Sequence, residues 1–286
     1  MSSSVRCSVC QSRCSSFGVH LSVFNRRPSP YILFAALIMR TDNLNLKNGG
    51  WLTPRRIYEE ELLDAGAGSD EDVAGNLKDL RLINRTLGGS RPVVKALVSL
   101  FSADPPERIS ILDVGTGSAD IPGRVIHWCR SRGIACETVA LDVSERNLRV
   151  TRRRLQFDPS ISLLQADARL LPFQPRSFDI VIASQFLHHF EDHEVAELLS
   201  SFANLARRAV VVNDLARNLV PYYFIRMTGW LFTRSYLTRN DGPVSVLRGF
   251  TAPEFVELGK KAGLGRFTVS NVFPYRLLLV ADTNTV

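Results

Sequence analysis

The sequence predicts an α/β fold: a doubly wound sheet, mostly parallel with an antiparallel C-terminal strand, preceded by a helical cap. Three observations predict it. From Ile109 to Asn213 short apolar runs alternate with helical patterns, the mark of consecutive βαβ units. The first run breaks into Gly115-Thr116-Gly117-Ser118, a turn that lets backbone approach a ligand. The chain ends on two apolar runs joined around Pro274, which read as a closing antiparallel hairpin.

Length and charge fit this reading. A chain of 286 residues suffices for one α/β domain with elaborations. The longest candidate apolar run, Tyr31 to Met39, is nine residues, well short of a membrane span. Residues 1–40 hold five arginines and no acid, so they carry +5 of the net charge of +7 and leave +2 for 41–286. The body thus has no basic footprint for nucleic acid. Residues 1–40 read as a disordered extension, either a transit-like segment or sequence upstream of a true start at Met39. The first alternative implies an organelle, the second the cytoplasm. Cys7, Cys10, Cys14 and His20 have loose metal-ligand spacing but no packed scaffold around them, so no metal is expected.

Residues 41–104 form the expected cap, and 105–286 the main domain. Trp51 to Leu63 is expected as a loop leading into a helical segment. Residues 69–89 follow as a helix, with Asp70 and Glu71 in its first turn and Val73, Leu77, Leu80, Ile83 and Leu87 at helical spacing. A second helix runs from Pro92 to Phe101. Strands are expected at Ile109–Val114, Thr138–Leu141, Ile161–Gln165, Phe178–Ala183 and Ala209–Asn213. Helices are expected at Pro122–Arg132, Ser144–Gln156 and Asp192–Arg207, with Ser144 as N-cap. Residues 216–250 read as a substrate-side insertion, and its end, Asp241 to Phe250, as a loop.

Glycines at a strand-to-helix turn are a weak signal by themselves. A dinucleotide fingerprint would place its third glycine at position 120, where this chain has Asp120. A carboxylate there opposes a pyrophosphate but tolerates a cationic cofactor. Asp142 stands after the second strand, 27 residues beyond Gly115, where an acid can accept both hydroxyls of a ribose. After the third strand come Asp167-Ala168 and then Leu171-Pro172-Phe173.

In this order and spacing the motifs resemble class I S-adenosylmethionine-dependent methyltransferases, whose fold is Rossmann-like. The likeness is greatest to the small-molecule branch typified by ubiquinone and menaquinone biosynthesis methyltransferases, written in the style of "DVGTGSADIP" and "LHHF". The resemblance implies S-adenosylmethionine as cofactor. It implies that Asp113, Gly115, Thr116 and Gly117 lie beneath its methionine part, and that Asp142 with Val143 holds the ribose. Asp167, Ala168 and Ser184 complete the cofactor set. Ala119 departs from the family, where a third glycine is common. Ser184-Gln185-Phe186-Leu187 differs from the Asn/Asp-Pro-Pro-aromatic motif of amino-methylating DNA enzymes. Ala183 and Ser184 stand where metal-dependent catechol enzymes place an acid.

On the acceptor side, His189 and His188 follow strand four and are candidate bases, with Asp214 after strand five to orient a histidine or touch the substrate. Residues 216–250 are dense in aromatics interrupted by arginines. They would line a pocket for a small, hydrophobic, phenolic or quinol-like acceptor, with Tyr223, Ser245 and Arg248 as pocket residues, or rest on a membrane surface. The expected reaction is methyl transfer to oxygen or carbon of that acceptor. A non-catalytic, cofactor-binding assembly subunit stays open as an alternative, and an NAD-dependent oxidoreductase is a more distant one.

Overall fold

The computed structural model describes residues 52–86, 89–155 and 158–284. They fall in one compact unit, 44–286. The extension 1–40, its cysteines and His20 lie outside the described residues.

Two helices open the described chain, α1 (Asp70–Thr86) and α2 (Arg91–Leu100). The alternation follows: β1 (Arg108–Val114), α3 (Asp120–Arg130), β2 (Ala135–Asp142), α4 (Glu145–Leu155), β3 (Ile161–Gln165) and β4 (Phe178–Ser184). A 3-10 turn at Leu187–His189 leads to α5 (Asp192–Leu205) and β5 (Ala206–Leu215). The chain ends with α6 (Leu219–Phe232), α7 (Tyr236–Arg248), α8 (Ala252–Lys261), β6 (Arg266–Val272) and β7 (Arg276–Asp282).

The sheet order is β3-β2-β1-β4-β5-β7-β6. The first five strands are parallel, and β7 runs antiparallel to both β5 and β6. The predicted doubly wound sheet with its antiparallel hairpin is therefore what the chain forms. Side-chain alternation sorts the core into two layers. Leu112, Val114, Val181, Ala183, Val210 and Val212 pack with α5 and α8 through Phe202, Phe255 and Leu258. Ile109, Ile111, Ile180, Ile182, Ala209 and Val211 face the other way, onto Val93 and Leu97 of α2 and Val125 and Ile126 of α3. The cap helix α2 thus shares the sheet's own core.

Connectivity reverses between β1 and β4, and the carboxyl ends of strands at such a switch point form the ligand crevice of open α/β sheets. Asp113, Asp142, Ser184, His188, His189 and Asp214 all stand on or beside that edge.

Two local expectations are corrected. No helix forms over 57–63. The backbone there is held by distant partners: Ile57 N–H donates to Leu247 O, and the Leu62 and Leu63 N–H groups donate to the Asp241 carboxylate at 2.9 and 3.1 Å. Those donors are consequently spent on tertiary bonds, not on an i→i−4 ladder. Conversely, Asp241 to Arg248 is helix, not loop, although Gly242-Pro243 reads as a breaker. Burial of Leu237, Pro243 and Val246 overrides local propensity. The Ser245 Oγ also lies 3.0 Å from the Asp241 carbonyl one turn earlier.

Candidate functional site

The first half of the site is the turn after β1. Gly115 and Gly117 have φ of 70° and 50°, the left-handed region that favours glycine. At Gly115 an added Cβ would sit 2.1 Å from the Phe186 ring, whereas at Gly117 it would meet nothing nearer than 3.9 Å. Open space therefore adjoins the loop at Gly117. Ala119, the departure from the family pattern, also sits at φ 50° and is fully buried at the N-cap of α3.

Asp142 ties this loop to β2. Its carboxylate accepts from Gly117 N–H at 2.8 Å, Ser144 N–H at 2.9 Å and Asn147 Nδ2 at 3.4 Å. Three donors leave about one of a carboxylate's four lone-pair positions for a ligand hydroxyl. Ser144 caps α4 as expected, accepting from Asn147 N–H. Burial raises the Asp142 carboxyl above its usual range, against the pull of the Ser144 and Gly117 N–H groups. Asp113 is buried beneath the same loop, and burial, with Asp120 and Asp142 nearby, pushes its carboxyl up to about 7. The buried Thr116 hydroxyl faces the Asp113 carboxyl and works against that rise.

Of the remaining cofactor candidates, Ala168 is buried in the core and Val143 is exposed. Asp167 is gripped by Arg169, whose Nη2 donates at 2.7 Å. Ser184 Oγ accepts from Asn213 Nδ2 at 2.9 Å.

The second half gathers around the two histidines. His188 is buried, and its Nδ1 donates to Asp214 Oδ1 at 2.7 Å. Its Nε2 lies 3.6 Å from Glu61 Oε1. Burial alone would lower the His188 pKa, but Asp214 and Glu61 outweigh it and push it up to about 9. Glu61 is buried too, and the two imidazoles and the Ser245 hydroxyl, which donates to it at 2.6 Å, overcome that burial and hold it down to about 2. His189 is more open to solvent, and its Nδ1 bonds Asp64 Oδ2 at 2.6 Å. The two imidazole rings lie 4.2 Å apart, centre to centre.

Arg248 fastens this assembly. Its guanidinium donates to the carbonyls of His188, His189 and Glu59, so the structure places it behind the histidines. Tyr223 is not brought into the cluster; it is half exposed on α6, with its ring against Tyr222. Glu61 and Asp64 are the members that sequence reasoning missed. Their only signal was position in an acidic stretch just before the cap helix.

Buried carboxylates adjoin the glycine turn, and the guanidinium of Arg154 beside it is spent on the Ser118 carbonyl. This donor set suits a ligand with hydroxyls and a positive centre better than one with a pyrophosphate.

Comparison with known proteins agrees. Residues 111–209 match a family described as methyltransferase domain. The chain is similar to class I S-adenosylmethionine-dependent methyltransferases, among them the ubiquinone/menaquinone biosynthesis methyltransferases. Among curated relatives, the ubiquinone/menaquinone biosynthesis C-methyltransferase UbiE of Wigglesworthia glossinidia brevipalpis is 28% identical over 143 residues, 48% of this chain and 54% of that protein. The demethylmenaquinone methyltransferase of Thermotoga maritima is 26% identical over 195 residues, 64% of this chain and 81% of that protein. The chain thus spans about half the length of the first relative. Among solved structures, human N-acetylserotonin methyltransferase in complex with SAM superposes with a TM-score of 0.55 at 14% identity, covering 89% of this chain and 67% of that one. DszA carbon methyltransferase gives 0.56 at 17% identity, covering 79% and 63%. At such identities the structures speak for the fold.

Proposed function

We propose that the protein binds S-adenosylmethionine at the glycine turn and transfers its methyl group to oxygen or carbon of a small, hydrophobic, phenolic or quinol-like acceptor. The observation that carries this reading is Asp142, which closes the Gly117 turn while keeping capacity for a ribose hydroxyl. Gly115–Gly117 and Asp113 would hold the methionine part, and Ala168 and Asp167 would hold the adenine. When bound, the cofactor supplies an electrophilic methyl on a sulfonium.

The chain's own residues then position the acceptor and take its proton. In-line displacement needs alignment and exclusion of water, and the acceptor must lose a proton as the new bond forms. His188, with its pKa near 9, is an imidazolium at neutral pH and donates hydrogen bonds. His189 is the better base: Asp64 takes its Nδ1–H and leaves Nε2 as the accepting nitrogen.

One observation favours a variant of this mechanism. Ligand atoms of Glu61, His188 and His189 lie within 4.8 Å of one another, so a divalent cation there would orient the acceptor oxygen in place of a proton relay. Methyl-labelled S-adenosylmethionine and a small-molecule extract form the test. Label in the organic phase is the expected result, and cofactor that fails to bind in calorimetry would remove the proposal. Turnover unchanged by a chelator keeps the proton relay; turnover lost and restored by zinc or magnesium replaces it with the metal variant.

A further inference from the structure

The helical pair α6–α7 has two unlike sides. Its inner helix serves the acid–base cluster: Asp241, Ser245 and Arg248 of α7 hold residues 59–63 and the histidine carbonyls. Its outer helix, α6, turns a row of large apolar side chains to solvent. Tyr223, Met227 and Leu231 are spaced by four, so they share one helix face, and they are 53%, 69% and 58% exposed. Tyr236, at the start of α7, is 45% exposed. A contiguous apolar row of this kind is uncommon on a soluble surface and marks a contact.

The charges around it indicate the partner. Between Arg217 and Asn240 there is no acidic residue, while Arg226, Arg234 and Arg239 interrupt the apolar sequence. Among the described residues none of the three guanidinium groups pairs with a carboxylate; Arg226 bonds Tyr222 Oη, Arg239 bonds the Thr233 carbonyl, and the nearby Asp79 carboxylate accepts instead from the backbone N–H groups of Arg234 and Ser235. An apolar, Tyr-containing row flanked by arginines, with no acid in its own stretch of sequence, is the composition of an interfacial helix on anionic lipid. A protein partner would need only the apolar row.

We infer that α6 and the start of α7 dock the protein on an anionic membrane surface, with Tyr223, Met227 and Leu231 entering the interface and Arg226, Arg234 and Arg239 meeting lipid headgroups. A lipid-borne acceptor would then reach the cluster along the helical pair; this last step rests on the proposed function, whereas the docking does not. No helix among the described residues is long and apolar enough to cross a membrane, so the contact is peripheral.

The test uses the full chain and phosphatidylcholine vesicles with and without phosphatidylglycerol, separated by sedimentation. The wild-type protein should partition onto the anionic vesicles, and more weakly as salt rises. The triple variant Tyr223→Ser, Met227→Ser, Leu231→Ser should lose about tenfold or more of that partition. The arginines of residues 1–40 are present in both proteins, so only the difference between them counts. Equal partition of the two proteins would overturn the inference, as would no partition of the wild type. A dimer in light scattering that the triple variant dissolves would also overturn it, because a second copy would then cover the row. Cofactor calorimetry on both proteins keeps the two readings apart. A wild type that partitions but binds no cofactor condemns the function and leaves the docking. One that binds cofactor but ignores vesicles does the reverse.

Discussion

The half of the site at the ends of β1 and β2 is assembled from sequence neighbours, whereas the half at the ends of β4 and β5 draws on segments far apart in the chain. Around the glycine turn, Asp113, Gly115, Gly117, Asp142, Ser144 and Asn147 all belong to two consecutive strand–helix units. Around the histidines, residues 59–64, His188 and His189, Asp214 and the end of α7 meet only after folding. The first half needs a backbone shape, and glycine spacing encodes that shape. The second needs charges at fixed positions, and these are set by tertiary bonds.

The largest effects should come from crossing the two halves. His189→Ala should lower turnover by about 10²- to 10⁴-fold, the range for loss of a positioned acid–base group, with little change in cofactor affinity. Asp142→Ala should weaken cofactor binding by a few kcal/mol, while much of the turnover survives at saturating cofactor. Calorimetry and initial rates on both variants give the comparison. If each variant changed both quantities alike, the division into a cofactor half and an acceptor half would have to be abandoned.

A smaller effect sharpens the electrostatics of the second half. His188 has a folded pKa raised to about 9 from an ordinary value of 6.5. Its stabilising contribution is therefore complete below about pH 6.5 and disappears as pH rises through about 9. Glu61 is shifted the other way, so its contribution is present above its ordinary 4.5 and is lost as pH falls toward about 2. Glu61→Gln removes one of the two carboxylates that hold the imidazolium, at a cost of about 1–3 kcal/mol near neutral pH. The alkaline fall in stability should then begin at lower pH. Asp113, raised to about 7, loses its contribution between its ordinary 3.8 and that value, so Asp113→Asn isolates it. Thermal melts across pH decide the matter: an alkaline limb identical in wild type and Glu61→Gln would show that the Glu61–His188 pair is not what holds the proton.

The same contrast explains what could be read in advance. The sheet and the closing hairpin follow from the alternation of apolar runs with helical patterns and from Pro274, because the central strands are buried on both faces by neighbouring helices. His188, His189 and Asp214 were legible because they sit at or just past the carboxyl ends of strands. Glu61 and Asp64 were not. They lie where a helical segment is expected, and no helix forms because Asp241 and Leu247, much later in the chain, take the N–H groups of Leu62, Leu63 and Ile57. Asp241–Arg248 was obscured for the complementary reason: Gly242-Pro243 signals a turn locally, while burial decides for a helix.

The smallest effect concerns the glycine turn itself. Gly115 and Ala119 share a left-handed backbone, but their surroundings differ. Gly115→Ala drives a methyl group into the Phe186 ring, 2.1 Å away, and should disturb both halves at once. At Ala119 the methyl is already accommodated in the core. Ala119→Gly would relieve about 1 kcal/mol of left-handed strain. Against that stand the loss of one buried methyl, about 0.8 kcal/mol, and greater freedom of the unfolded chain, about 0.4–1 kcal/mol. The sum lies between neutrality and a loss of about 1 kcal/mol, so the melting temperature should stay level or fall by a few degrees, with cofactor affinity unchanged. A gain in affinity on Ala119→Gly would mean that the methyl holds the loop away from its ligand, and that this turn is less fully specified by its glycines than the rest of the cofactor half.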